Sequence, residues 1–133
     1  MAGLLTHLIV ATAGFLIGTF LFKNWKYGFA FLFGHVIPDV IDFGVIGVIM
    51  GSANPAEIMA HPWFQPLAIF GHTFGNWIIF GLLVVGIILW SYNKDKISKK
   101  TFKKSFITLV AFLAGVFVHL LLDKLIIETS YWI

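Results

Sequence analysis

Polar residues are sparse in this chain and gather in three stretches, KNWKY, GSANPAEIMAHPWFQP and SYNKDKISKKTFKK, which separate four long apolar runs. The runs cover about residues 3–22, 28–50, 67–90 and 105–127. Each supplies the roughly 20 residues that an α-helix needs to cross a hydrocarbon core about 30 Å thick. Only helices or closed barrels satisfy their backbone groups inside lipid. The pattern therefore predicts an all-α integral membrane protein: one domain, 1–133, built as a four-transmembrane-helix bundle. The first run lacks a basic lead-in and is long and uniform, so a span is expected there rather than a secretory signal.

Composition strengthens this expectation. With 59% hydrophobic and 11% charged residues among 133, and a mean hydropathy of +0.95, the chain holds more apolar surface than so small a domain can bury internally. Lipid is the expected partner for the remainder.

The net charge of +3 comes from lysine alone and is uneven. Lys23 and Lys26 lie in the first connection, and Lys94, Lys96, Lys99, Lys100, Lys103 and Lys104 in or near the third, while the second carries none. Positively charged short loops stay on the cytoplasmic side. That predicts insertion in the cytoplasmic membrane with the lysine-rich loops inside and both termini outside. Trp25, Tyr27, Trp90 and Tyr92 would then mark the inner interface, and Trp63, Tyr131 and Trp132 the outer one. The lysines read as a topology signal with anionic-lipid contact, so no nucleic-acid partner is expected. The second connection, around His61-Pro62-Trp63-Phe64, reads as an interfacial connector.

Against this background the ionisable residues inside the runs stand out, because each costs about 2.5–3.5 kcal/mol to insert at mid-membrane. They are His7, His35, Asp39, Asp42, His72, His119 and Asp123, with Lys124 near the last outer end. Counting about 1.5 Å per residue from the outer end of each run puts His7 and Asp123 near 6 Å, His72 near 8 Å, Asp42 and His119 near 12 Å, and Asp39 near 17 Å. Four separate helices thus bring polar groups to one outer slab. His35, at about 22 Å by the same count, falls outside it.

Asp39 with Asp42, His35 with Asp39, and His119 with Asp123 each share a helix face by spacing. Gly14, Gly18, Gly71, Gly75, Ala111 and Gly115 lie beside them and allow close helix approach. Pro38 is expected to kink the second helix just before the aspartates.

Imidazoles and carboxylates converging in this way suit zinc or a similar divalent ion. With no cysteine in the chain, only N and O donors are available. Such an ion offsets the desolvation of buried aspartates and can acidify a water for hydrolysis. Candidate metal ligands are His7, Asp39, Asp42, His72, His119 and Asp123, with Asp42 also the candidate general base. His35, Thr73 and Asn76 are expected to stand behind them and orient ligands.

Thr6-His7, Ile37-Pro38-Asp39-Val40-Ile41-Asp42, Phe70-Gly71-His72-Thr73 and His119-Leu120-Leu121-Leu122-Asp123 occur in this order over nearly the whole chain. In this they resemble the signature of the membrane-bound metal-dependent hydrolases, the YdjM-like proteins. The resemblance implies a metal-dependent hydrolase of the membrane, with these segments around the metal. The chain departs from the signature at Phe43, where that family places a His, in lacking the His-Arg-Gly half of the third motif, and after Lys124-Leu125.

The leading expectation is hydrolysis of a phosphoester or lipid-like substrate at the outer interface. Its main alternative is a non-catalytic subunit of a larger membrane complex, whose polar residues only lock helices together. A haem or pigment carrier would use the histidines as axial ligands, and ion conduction would use the acidic groups. The small-residue spacings leave open a homo-oligomer or other membrane protein partners.

Overall fold

The computed structural model describes residues 3–126, leaving the span end at Ile127 and the interfacial markers Tyr131 and Trp132 outside the described residues. The described residues form helices only, in the order α1 (Leu4–Phe22), α2 (Trp25–Asp39), a π-helical turn (Val40–Gly44), α3 (Val45–Met50), α4 (Pro55–Ala60), α5 (Phe64–His72), α6 (Phe74–Asn93) and α7 (Lys99–Leu125). Four helical stretches are long and apolar enough to cross a membrane: Leu5–Phe22, Trp25–Met50, Phe74–Asn93 and Lys99–Leu125.

Local chemistry sets where these stretches begin and end. Asn24 accepts the Lys26 N–H at 3.1 Å and starts α2, three residues before the expected boundary. Ser98 accepts the Thr101 N–H at 3.2 Å and starts α7, so the helix takes in the lysine-rich segment that the apolar run excludes. Lys23 closes α1 in the left-handed conformation, with φ 49°, and turns the chain tightly into α2. In the second stretch Pro38 has no N–H to offer Gly34, and a wider π turn follows at Val40–Gly44.

The third apolar run does not form one helix. It breaks at Thr73, whose extended backbone (φ −94°, ψ 115°) separates α5 from α6. The membrane-length helix therefore starts at Phe74, and His72 is the last residue of the short helix before it.

Burial runs opposite to that of a water-soluble protein. His35, Asp42 and His119 are among the most completely buried side chains, together with Ile46, Val116 and Pro38. Phe20, Leu21, Val48, Leu82 and Leu83 face outward. Such an exterior is stable where lipid is the solvent. A compact apolar group formed by Trp77, Val116 and Leu120, flanked by Ile37, Ile41, Phe74, Phe112 and Phe117, underlies the polar interior.

Helix α2 packs most extensively on α7 and on α1. Its approach to α7 is backbone to backbone. A Cβ on Gly34 would overlap the Phe112 carbonyl, and one on Gly115 would overlap the Phe31 carbonyl and the His35 amide. By contrast, a Cβ on Gly86 would meet no other atom within 4 Å. Gly115→Leu should therefore destabilise the protein by about 3 kcal/mol, the upper end of overpacking costs. Gly86→Ala should stabilise it by roughly 0.5–1 kcal/mol through helix propensity. Thermal unfolding in detergent checks both.

Candidate metal centre

Four helical elements meet at the polar interior: α1 brings His7, α2 His35 and Asp39, α5 His72, and α7 His119 and Asp123. Asp42 comes from the π turn. One donor atom from each of Asp39, His72, His119 and Asp123 forms a group in which all lie within 4.8 Å of one another. Five of the six separations are shorter still. Asp123 Oδ2 is 3.2 Å from His72 Nε2 and 3.3 Å from His119 Nε2. The two Nε2 atoms are 3.3 Å apart, and Asp39 Oδ1 lies 3.5 Å from each.

These separations bear on whether the residues suit a metal. Four donors at the corners of a tetrahedron with bonds of about 2.0–2.1 Å lie about 3.3–3.4 Å apart. The group matches that spacing, and two imidazoles with two carboxylates neutralise a divalent cation. The spacing is also open to hydrogen bonds between imidazoles and carboxylates, but one tautomer is already constrained. His72 Nδ1 donates to the Ala68 carbonyl at 3.1 Å, which leaves the Nε2 lone pair of a neutral ring facing the group.

The break after α5 explains how His72 is held. The last carbonyls of a helix have no partner within it, and here three of them, together with that of Ala68 one turn back, are bonded by nearby side chains. Ala68 receives His72 Nδ1, Ile69 receives Thr73 Oγ1 at 2.5 Å, Phe70 receives Asn76 Nδ2 at 2.9 Å, and Gly71 receives Trp77 Nε1 at 2.6 Å. The negative end of the helix dipole thus lies beside the donor group and favours a cation there. Thr73 and Asn76, expected to orient ligands, bond α5 carbonyls instead and act on the group through the helix that carries His72. Trp77 completes the set. Its indole N–H, one turn after Thr73 at the start of a long apolar helix, was the available signal for this role.

Asp42 falls outside the four-donor group. Its Oδ2 lies 3.5 Å from His72 Nδ1, on the opposite edge of the ring from Asp39, while Oδ1 accepts the Phe43 N–H at 2.6 Å. The expected shared face of Asp39 and Asp42 is opened by the π turn between them, so they flank His72 from two sides. The Asp42 side chain is fully buried.

His7 also falls outside the group. Its Nε2 contacts Asp123 Oδ1 at 3.1 Å and its Nδ1 contacts His35 Nε2 at 3.2 Å. His35 is therefore part of the polar interior, despite the depth predicted from spacing. That count assumed level helix ends, whereas the second membrane stretch has 26 residues against 18 in the first. One nitrogen from each of His7, His35 and His119 forms a second close group. His61 lies apart in the connector, where its Nδ1 accepts the Trp63 N–H at 3.3 Å.

Exposure is graded across the centre: His119 is fully buried and Asp123 nearly so, whereas the Asp39 side chain is 32% exposed and that of His72 18%. The open edge is the one bounded by Asp39 and His72.

The chain matches no protein-family model, no curated protein and no solved structure.

The carbonyl contacts of α5 lead to one stability prediction. Trp77→Phe preserves most of the ring but leaves the buried Gly71 carbonyl without a donor, and should cost about 1–3 kcal/mol. Asn76→Ala, at a half-buried position, should cost less. Thermal unfolding of both variants gives the comparison, and equal losses would contradict the carbonyl account.

Proposed function

We propose that the protein is a membrane-embedded hydrolase in which Asp39, His72, His119 and Asp123 hold one divalent cation, zinc by donor type. The substrate is a phosphoester or lipid-like molecule at the outer membrane interface. The carrying observation is the mutual spacing of those four donors, 3.2–3.5 Å for five of their pairs. Support also comes from the ordered segments that resemble the YdjM-like membrane-bound metal-dependent hydrolases. A divalent ion there would supply Lewis-acid chemistry toward a water or a phosphoryl or carbonyl oxygen, provided that this joins or displaces one of the four donors at the exposed Asp39–His72 edge.

The chain's own residues have distinct parts in this reading. His72 and His119 present Nε2, while Asp39 and Asp123 supply the compensating charge. Ala68 and Asp42 hold the far edge of His72, as carboxylates and carbonyls do behind metal-bound imidazoles. In this reading Asp42, buried behind His72, is a positioning residue rather than the base. The Asp39–His72 edge is where a substrate approaches, and Asp39 is the carboxylate nearest to it. The apolar core and His119 exclude water from the opposite side, which strengthens electrostatic interactions in the centre.

Orientation follows from the lysines. The loops bearing Lys23, Lys26 and Lys94–Lys104 lie on the cytoplasmic side, and the second connection and both termini lie outside.

Metal analysis of the purified protein tests the centre. About one ion per chain is expected in the wild type and almost none in an Asp39→Ala plus His119→Ala variant. Equal metal-free baselines in both would refute the metal reading. Because the chain has no cysteine, topology is tested separately with Ser52→Cys and Ser98→Cys. A membrane-impermeant maleimide added to intact cells should label the first and spare the second. The reverse labelling would invert the orientation.

A further inference from the structure

His7 contacts two of the proposed ligands at once, and both belong to α7. Its Nε2 is 3.1 Å from Asp123 Oδ1, the oxygen on the far side from the donor group. Its ring stacks on His119, with centroids 4.2 Å apart and planes at 27°.

The hydrogen-bond directions follow from chemistry. An ionised carboxylate only accepts, so His7 Nε2 carries the proton that bonds Asp123. In a neutral ring Nδ1 then accepts, and the donor is His35 Nε2, 3.2 Å away. His35 is completely buried between α2 and α7 and so fixes the tautomer of His7 from behind.

His119 has greater need of such support than His72. A metal-bearing histidine ordinarily donates its second N–H to a partner. His119 Nδ1 is buried and has no hydrogen-bond partner. Its orientation is set instead by rings: His7 against its face and His35 edge-on at 5.2 Å and 75°.

The position of α1 points the same way. Beyond His7 it parts from α7 around an apolar crevice of about 430 Å³, lined in part by Ile9, Val10, Ala13, Ile107, Val110 and Ala111. His7 is therefore a polar tie between α1 and α7 at the level of the centre.

We propose that His7 is not a metal ligand but a positioning residue, whose Nε2–H orients Asp123, whose ring face orients His119, and whose tautomer His35 sets. This rests on the metal reading above and departs from the resemblance, which places the near-N-terminal histidine around the metal.

Cobalt titration of the full-length protein in detergent tests it, with absorption bands reporting the ligand set and circular dichroism the folded fraction. His7→Ala should lower cobalt affinity 10- to 100-fold while giving the wild-type band pattern at saturation. His7→Gln keeps an N–H donor within reach of Asp123 and should recover most of the loss. An altered band pattern in either variant makes His7 a ligand and overturns the proposal. Unchanged affinity in folded His7→Ala overturns it as well, as do equal losses in the two variants. If His7→Ala does not fold, His7→Gln decides alone through its band pattern. Absence of cobalt binding in the wild type would instead overturn the metal reading itself, and this inference with it.

Discussion

The structure depends on one constraint: a carboxylate buried among apolar helices is cut off from bulk water, so its partners must come from the chain or from a bound cation. Asp123 shows how closely such groups are drawn together. Oδ1 faces His7 of α1, and Oδ2 faces His72 of α5 and His119 of its own helix. One side chain therefore joins three helices. The glycines at the α2–α7 crossing bring the backbones close enough for these short side chains to meet, and the apolar exterior leaves the centre as the main polar feature of the interior.

The same constraint accounts for the broken third stretch. A continuous helix from 67 to 90 would need no side-chain donors, but it would also keep the Ile69–Gly71 carbonyls within its own hydrogen-bond ladder. Breaking at Thr73 frees those carbonyls. Thr73, Asn76 and Trp77 then bond them, and the negative end of α5 lies at the centre. The π turn after Pro38 has a comparable effect on α2, since it places Asp39 and Asp42 on opposite edges of one imidazole.

Much of this was legible in the sequence. The helical class and four membrane-length stretches follow from runs of apolar residues, and the metal-capable group was visible because histidine and aspartate are so costly in such runs. Depth and spacing named Asp39, His72, His119 and Asp123 together with His7 and Asp42, and did not separate the first four from the other two. The remainder was hidden for physical reasons. Spacing fixes which residues share a regular helix face, but Asp42 lies in a π turn and His72 at a helix end, where the regular face is lost. Depth counted from run ends misplaced His35 because the helices differ in length. The roles of Thr73, Asn76 and Trp77 depend on carbonyls released by a break that hydropathy does not register. His7 was recognisable as polar and near the outer surface, yet only coordinates show Asp123 rather than the donor group beside it.

The central claim is that two imidazoles and two carboxylates share one cation. X-ray absorption at the zinc edge on the zinc-loaded protein tests it most directly. The account predicts a first shell of nitrogen and oxygen alone at about 2.0–2.2 Å, with outer-shell scattering from two imidazole rings. A hydrated, six-oxygen shell without imidazole scattering would contradict it.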